Sequence, residues 1–334
     1  MKKPVLLIGV LVLGLIMSPA AWAKTVIKCQ NSLPDRYAAS KALADFAGQV
    51  KDQTKGEVEI QIFPTGQLFK DTDLPTALPT GAIDACLPNL GQWAGLVPAL
   101  GAMSMVGLFD SAEHFSACLK GGLGEMWAKQ LEEKANTKVV AWLTLGPADI
   151  ITSPKKTFKT AEDFKGLKMN TATKGMQIYF QALGAVPTSI SASDVYLALQ
   201  RGTIEAAASA ALSVLGRKWV EVSKNQTRLM MIPEAIFPIL FNLDSWKKLT
   251  PEQQKIVAEA GQGAREWNFE QVSQDNDKAW AELAKMDGVK VESLDAEAAG
   301  KLNKIAAPAN QEYLFKTLGQ EMADKVMKLV DEAR

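Results

Sequence analysis

Histidine is nearly absent: the 334 residues hold one, His114, with three cysteines and no charge excess, 37 Lys+Arg against 37 Asp+Glu. A single histidine excludes a multi-histidine zinc site and leaves carboxylates, Lys, Tyr or Cys as any other catalytic base. Zero net charge argues against a nucleic-acid partner, because phosphate binding needs a basic excess gathered on one face. No CxxC pair occurs, so neither a thiolate metal site nor a dithiol redox motif is written into the chain. Long apolar runs are missing after residue 17. The longest later stretch without charge, 85–109, is broken by Pro88, Asn89, Gln92, Pro98 and four glycines, which suits buried loops better than a spanning helix. What remains is 47% apolar and 22% charged, the composition of a globular protein long enough for two medium domains.

The first residues read as a processed leader. Lys2 and Lys3 precede the apolar run Val5 to Met17, and Ala21-Trp22-Ala23 supplies a small-x-small cleavage pattern, so residues 1–23 are expected to be a signal peptide with Lys24 as the mature N-terminus. The apolar run is 13 residues, shorter than the ~20 of a spanning helix, and Ser18-Pro19 interrupts it. Removing Lys2 and Lys3 leaves 35 basic against 37 acidic groups, a charge of −2. An oxidising compartment permits one disulfide, with Cys86–Cys118 as a candidate pair, or three buried free thiols.

From Lys24 the chain alternates strand and helix signals. Thr25 to Cys29 is a β-branched run, and Asn31-Ser32-Leu33-Pro34 has helix-start character. Apolar residues at Ala39, Leu43, Phe46, Ala47 and Val50 give helical spacing, and Val58 to Ile62 alternates with period two. Further strand-like runs lie at 83–87, 138–143, 167–169, 229–232 and 289–291. Thr250-Pro251-Glu252-Gln253 has the pattern of a helix start, opening a stretch to Met286. Ala296 to Arg334 reads as amphipathic helices packed outside. This order predicts an α/β architecture with largely parallel sheets. An internal echo sharpens it. Ala77-Leu78-Pro79-Thr80-Gly81-Ala82-Ile83-Asp84-Ala85 matches Ala198-Leu199-Gln200-Arg201-Gly202-Thr203-Ile204-Glu205-Ala206. In each, a helix end meets a glycine suited to a left-handed position and a strand follows, which points to two lobes of similar plan.

Catalytic templates fail in turn. No GxSxG elbow, P-loop, GxGxxG, HExxH or EF-hand loop is present. Gly121-Gly122-Leu123-Gly124 lacks the lysine and preceding strand of a phosphate loop and reads as a turn between helices. His114 is expected on the surface of a helix's first turn. Without a nucleophile-and-base constellation, a binding protein with a cleft between lobes is favoured over an exported enzyme of unknown activity, which stays the alternative.

Several segments in order resemble the periplasmic solute-binding subunits of tripartite ATP-independent periplasmic (TRAP) transporters, the DctP family. They are Thr54 to Ile60, Phe63-Pro64-Thr65-Gly66-Gln67-Leu68, Gly81-Ala82-Ile83-Asp84, Phe158 to Lys168, Leu183 to Pro187, Val195 to Gly202, and Asn242 to Gln254. The resemblance implies a two-lobed periplasmic binding protein fold with a ligand cleft between lobes and long C-terminal helices. The first lobe is expected over 24–148 plus about 235–275, and the second over 149–234 plus about 276–334. It further implies a periplasmic transport protein, not an enzyme; a monomer is expected, and the single His, the missing CxxC and the missing phosphate loop predict no metal or cofactor. Its partners would be a small organic solute and the small and large membrane permease subunits of an ion-gradient-driven transporter.

One departure bears on the ligand. The family usually carries an Arg where this chain has Asn170, and often a second Arg in the stretch that here reads Gly146-Pro147-Ala148-Asp149. A neutral amide cannot supply the charge and fork of a guanidinium, so a simple carboxylate is not the expected solute. The candidate ligand-binding residues are Asn31, Asn89, Trp93, Asp149, Asn170, Thr173, Ser209 and Phe237. Bland roles stand beside several of them: helix N-cap for Asn31, loop packing for Trp93, surface loop for Asp149, core for Phe237. Arg36 and Lys174 are the cations that would substitute for the missing Arg. A small sulfonate, an amino alcohol and a neutral polyol or aromatic solute all remain open.

Overall fold

The computed structural model describes residues 24–171, 173–190, 193–229 and 234–334. The expected signal peptide lies outside them. The first lobe is laid down by β1 (Thr25–Asn31), α1 (Ala38–Gln53), β2 (Val58–Phe63), α2 (Leu74–Ala77), β3 (Ala85–Leu87), α3 (Ala112–Lys120), α4 (Gly122–Ala135) and β4 (Thr137–Ala141). The chain crosses on β5 (Thr144–Pro147) and builds β6 (Ile150–Ser153), β7 (Lys168–Asn170), α5 (Lys174–Ala182), β8 (Val186–Thr188), α6 (Val195–Gln200), β9 (Ala206–Ser209), α7 (Ala211–Gly216) and β10 (Asn225–Arg228). It returns on β11 (Glu234–Ile236) to β12 (Ile239–Asn242) and α8 (Leu243–Lys247). The long α9 (Pro251–Lys285), β13 (Lys290–Ser293), α10 (Ala296–Leu318) and α11 (Gln320–Asp331) complete it.

Two sheets result, ordered β2-β1-β3-β12-β4 and β13-β10-β6-β9-β7-β8, joined by the two-stranded β11-β5 crossing. Both large sheets are mixed, contrary to the largely parallel expectation. The βα units pair in parallel, but strands that come straight from a crossing, β6 and β12, run antiparallel to their neighbours.

The echo is a structural repeat. Gly81 and Gly202 take φ of +76° and +71°. Ala82 N–H bonds to Ala77 C=O at 3.0 Å, as Thr203 N–H does to Ala198 C=O at 2.9 Å. Each motif's acid then accepts a backbone N–H from the neighbouring strand: Lys28 to Asp84 at 3.0 Å, Lys168 to Glu205 at 3.4 Å. The same local chemistry thus docks β3 beside β1 and β9 beside β7.

The helix start at Thr250 is as read: Thr250 Oγ1 accepts from Gln253 N–H, the Gln253 amide accepts from Thr250 N–H, and Pro251 is the first helical residue. The helix runs along α1 and β4, past the crossing, to α7. It can lie close because Gly261 faces Val140, where a Cβ would come within 2.8 Å of the Val140 carbonyl oxygen. The last helix packs on the first lobe, with Ala323, Val326 and Val330 buried in the core that holds Trp127.

Other expectations change. Strand β10 lies at Asn225–Arg228, just before the run read at 229–232, of which only Leu229 is among the described residues. Its sequence, Asn-Gln-Thr-Arg, is polar, yet Gln226 and Thr227 are buried because Gln226 donates to Ser223 C=O and Thr227 accepts from Phe158 N–H. His114 is buried, not on the surface: Asp110 N–H donates to its Nδ1 and its Nε2 meets Val330 C=O at 2.9 Å. Cys29, Cys86 and Cys118 are all free and buried, so no Cys86–Cys118 bridge forms. Burial pushes the Cys29 thiol up to about 12 and Cys118 to about 11, so both are inert thiols. Of the expected turn Gly121-Gly122-Leu123-Gly124, only Gly121 lies between α3 and α4; Gly122 to Gly124 are the first turn of α4. Among the described residues no helix is long and apolar enough to cross a membrane.

Candidate functional site

The crossing strands join particular edges of the two sheets. β4 ends at Ala141 just before β5 and β12 begins at Ile239 just after β11, so the first lobe offers the edge Phe63, Asn31, Leu87, Ile239, Ala141. β6 begins at Ile150 just after β5, and Ile150 pairs with Ser209 on one side and Arg228 on the other, with Arg228 opposite Ser293. The second lobe therefore offers the edge Ser293, Arg228, Ile150, Ser209, Asn170, Thr188. These are mostly carboxyl ends of strands, the ends at which open α/β sheets hold ligands. The lobes touch where the start of α5 meets the 3₁₀ turn Pro98–Ser104: a Cβ on Gly175 would lie 1.7 Å from the Ser104 carbonyl oxygen.

Most sequence-derived candidates fall on these edges or in the loops that leave them. Asn170 ends β7; its Oδ1 accepts from Ile190 N–H at 3.0 Å, which orients the amide. Asn170 sits opposite Ala207, two residues short of Ser209, and so about 8 Å from it at ordinary strand spacing. Thr173 is the N-cap of α5, accepting from Met176 N–H. Ser209 ends β9 beside the small Ala206-Ala207-Ala208 run. Asn31 ends β1 but is fully engaged: its Oδ1 accepts from Leu33 N–H and its Nδ2 donates to Ser40 Oγ. It closes an Asx turn, and the N-cap position of α1 belongs to Tyr37. Asn89 follows β3 and accepts from Gly91 N–H, capping the 3₁₀ turn Leu90–Gly95.

Trp93 does not line the cleft. The capped turn places Leu90 and Trp93 three apart on one 3₁₀ face, and both point into the core with zero exposure. Phe237 also packs in a core, beside Leu143 and Phe241. Arg36 is exposed, 5.1 Å above the Tyr37 ring, and Lys174 is exposed at the start of α5.

Asp149 is buried rather than on a surface loop. Its Oδ2 accepts from Trp280 Nε1 at 3.0 Å, Asn276 Nδ2 at 3.2 Å and Arg228 Nε at 3.3 Å. Burial holds its carboxyl above the usual range, opposed by those donors. Arg228, which sequence reasoning missed, is held from several sides. Asp149 takes its Nε, Asp277 lies 3.5 Å from a terminal nitrogen, and the guanidinium sits 5.2 Å from the Trp280 ring. The sequence gives Arg228 little signal, because Asn225–Arg228 is a wholly polar strand.

Beside this clamp is a cavity of about 770 Å³ between the lobes, on the side of α3 and α9. Among the described residues no cluster of His, Cys, Asp and Glu could hold a metal ion.

Residues 30–317 match the model of the family described as bacterial extracellular solute-binding protein, family 7. A solute-binding protein of Sulfitobacter sp. strain NAS-14.1 is 27% identical over 97% of this chain and 98% of its own. The C4-dicarboxylate-binding periplasmic protein DctP of Rhodobacter capsulatus is 25% identical over 92% of each. In fold, a TRAP periplasmic solute-binding protein from Ochrobactrum anthropi superposes with a TM-score of 0.86 at 22% identity, over 93% of this chain and 96% of that one.

Proposed function

Because the chain belongs to bacterial extracellular solute-binding protein family 7, the DctP family of TRAP transporters, we propose that it captures a small sulfonate, amino alcohol or neutral solute through neutral amide and hydroxyl groups, without a carboxylate–guanidinium bridge. As a member of that family it is a periplasmic transport protein and not an enzyme, and it works with membrane permease components. The proposal concerns the solute and how it is held.

The observation that carries the reading is Asn170. It ends a strand on the cleft edge of the second lobe, and Ile190 N–H fixes its Oδ1, leaving the NH2 group to donate. The cation that ends a strand on the same edge, Arg228, is held between the carboxylates of Asp149 and Asp277. A desolvated carboxylate without a cationic partner costs several kcal/mol, whereas the hydroxyls of a polyol or amino alcohol can be met by amides and hydroxyls at less cost, and a sulfonate spreads its charge over three oxygens that several such donors can share. The Rhodobacter capsulatus relative is named for C4-dicarboxylates, so the departure is in the manner of recognition and not in the scale of the solute.

A thermal-shift screen across small carboxylates, sulfonates, amino alcohols and polyols tests this. The best solute should be one of the last three, and Asn170→Ala should weaken it by about 1–2 kcal/mol, the scale of a buried neutral hydrogen bond. A simple carboxylate as best solute, with affinity unchanged in Asn170→Ala, refutes it.

A further inference from the structure

The 770 Å³ cavity lies away from Asn170 and Ser209, at the opposite end of the same sheet edge. Its walls come from three places: α3 and the residues before it, the ends of β10 and β13, and the middle of α9. Phe269 and the largely buried Phe109 and Phe115 contribute aromatic surface; Phe109 and Phe115 meet edge to face at 4.7 Å, and one face of Phe269 is already covered by Arg265, 4.9 Å away and bonded to Ser116 behind this wall.

The charge on these walls is acidic. Asp110, Glu113, Asp149 and Asp277 line the cavity against Lys120 and Arg228. Two pairings sharpen the balance. Arg334 neutralises Asp110, with Nε 2.7 Å from its carboxylate. Arg228 serves both Asp149 and Asp277, so that group keeps one net negative charge. Glu113 has no ion-pair partner among the described residues, and its own backbone N–H and the Ser111 hydroxyl hold its carboxyl below the usual range. Lys120 stands at the far end of α3, about 10 Å along the helix from Glu113. Two acidic poles thus remain on opposite walls, Glu113 on the first lobe and the Asp149–Arg228–Asp277 group on the second. Asp149 Oδ1, in the latter wall, is buried and accepts no hydrogen bond among the described residues.

We propose that this cavity is a second binding site, for an organic cation with an apolar or aromatic body. Aromatic rings accept a cation on their faces, and carboxylates on both walls select for positive charge. The clamped arginine repels a second cation weakly and offers an anion little, because two carboxylates already share it. An amine seated here would touch both lobes and α9 at once, so it would favour the present arrangement of the lobes over one in which they move apart. The site is independent of the solute reading and stands or falls without it.

Calorimetry on the full mature chain with 2-phenylethylamine, its neutral analogue 2-phenylethanol and the anion 3-phenylpropanoate provides the test. The amine should bind at least tenfold more tightly than either analogue. Glu113→Gln and Asp277→Asn should each weaken it three- to tenfold, and Ser273→Trp, which fills the cavity from the exposed face of α9, should abolish it. Asn170→Ala should leave amine binding unchanged. The proposal is overturned if the alcohol or the acid binds as well as the amine, if Ser273→Trp folds yet keeps amine affinity, if Asn170→Ala removes it, or if the amine shows no binding at millimolar concentration.

Discussion

Gly175→Ala isolates the contact between the lobes. Gly175 is the second residue of α5, and its φ is not in the left-handed region, so alanine there is intrinsically favourable by up to about 1 kcal/mol. The environment forbids it. A Cβ would lie 1.7 Å from the Ser104 carbonyl oxygen, 2.5 Å from its carbon and 3.1 Å from Met105 Cα. All three are backbone atoms, so no rotamer change relieves the clash, and α5 must retreat from the 3₁₀ turn by more than 1 Å. Overpacking of this kind costs about 1–3 kcal/mol, enough to exceed the propensity gain. At this chain length about 2 °C of Tm follows each kcal/mol, so the variant should melt about 2–6 °C lower. Gly263→Ala is the matched control. It lies within α9 with nothing within 4 Å of its Cβ position, and the same substitution should raise Tm by up to about 2 °C. Scanning calorimetry on the two variants reads the sign directly. If Gly175→Ala matches or exceeds Gly263→Ala, the lobes do not meet at Ser104 in solution.

Two further outcomes follow from named geometry. Partial burial pushes the Asp163 carboxyl up, but the Lys156 ammonium and the N–H groups of Lys159 and Thr160 outweigh it and hold it at about 2. Its folded value is below its unfolded value, so its stabilisation is present above about pH 4 and is lost as pH falls through about 2. Asp163→Ala should therefore cost about 0.5–2 kcal/mol at pH 7 and almost nothing near pH 2, and a constant difference across urea titrations at pH 7, 4 and 2.5 would contradict this. In the crossing strand β5, Gly146 has φ of +94° and Val272 Cγ1 lies 2.7 Å from its Cβ position, so Gly146→Ala should destabilise by about 1–3 kcal/mol. An unchanged Tm would mean that β5 and α9 separate freely.

Elements with a local signature were legible in the sequence. The Thr250 capping box, the α1 stripe and the twin glycine turns each depend on a few neighbouring residues, and each is where the pattern put it. What depended on tertiary partners was not. β10 is a polar strand whose burial is made acceptable by Phe158 and Ser223, distant or flanking groups that no window of hydropathy weighs. His114 is buried because the C-terminal helix returns to it more than 200 residues later. At the candidate site, positions at strand ends could be guessed from motif order, which placed Asn170 and Ser209. Which way a side chain turns could not: Trp93 points inward because of a 3₁₀ cap, and Arg228 matters because Asp149 and Trp280 hold it.

The placement of β12 has a consequence for how the chain acquires its shape. This strand sits between β3 and β4, and its pairing of Leu240 with Cys86 closes a loop of about 150 residues. Until residue 242 is available, β4 has no strand beside it and β3 presents an open edge. The second sheet is different: β6 to β10 are contiguous in sequence, and only its outer strand β13 comes later. The lobe that begins second therefore has the shorter-range contacts and can pair five of its six strands by residue 228, before β12 exists, while the lobe that begins first waits for the chain to come back. During that interval the unpaired edge of β3 is the part of the molecule most open to mispairing, so a factor that shields nascent chains would have most effect there.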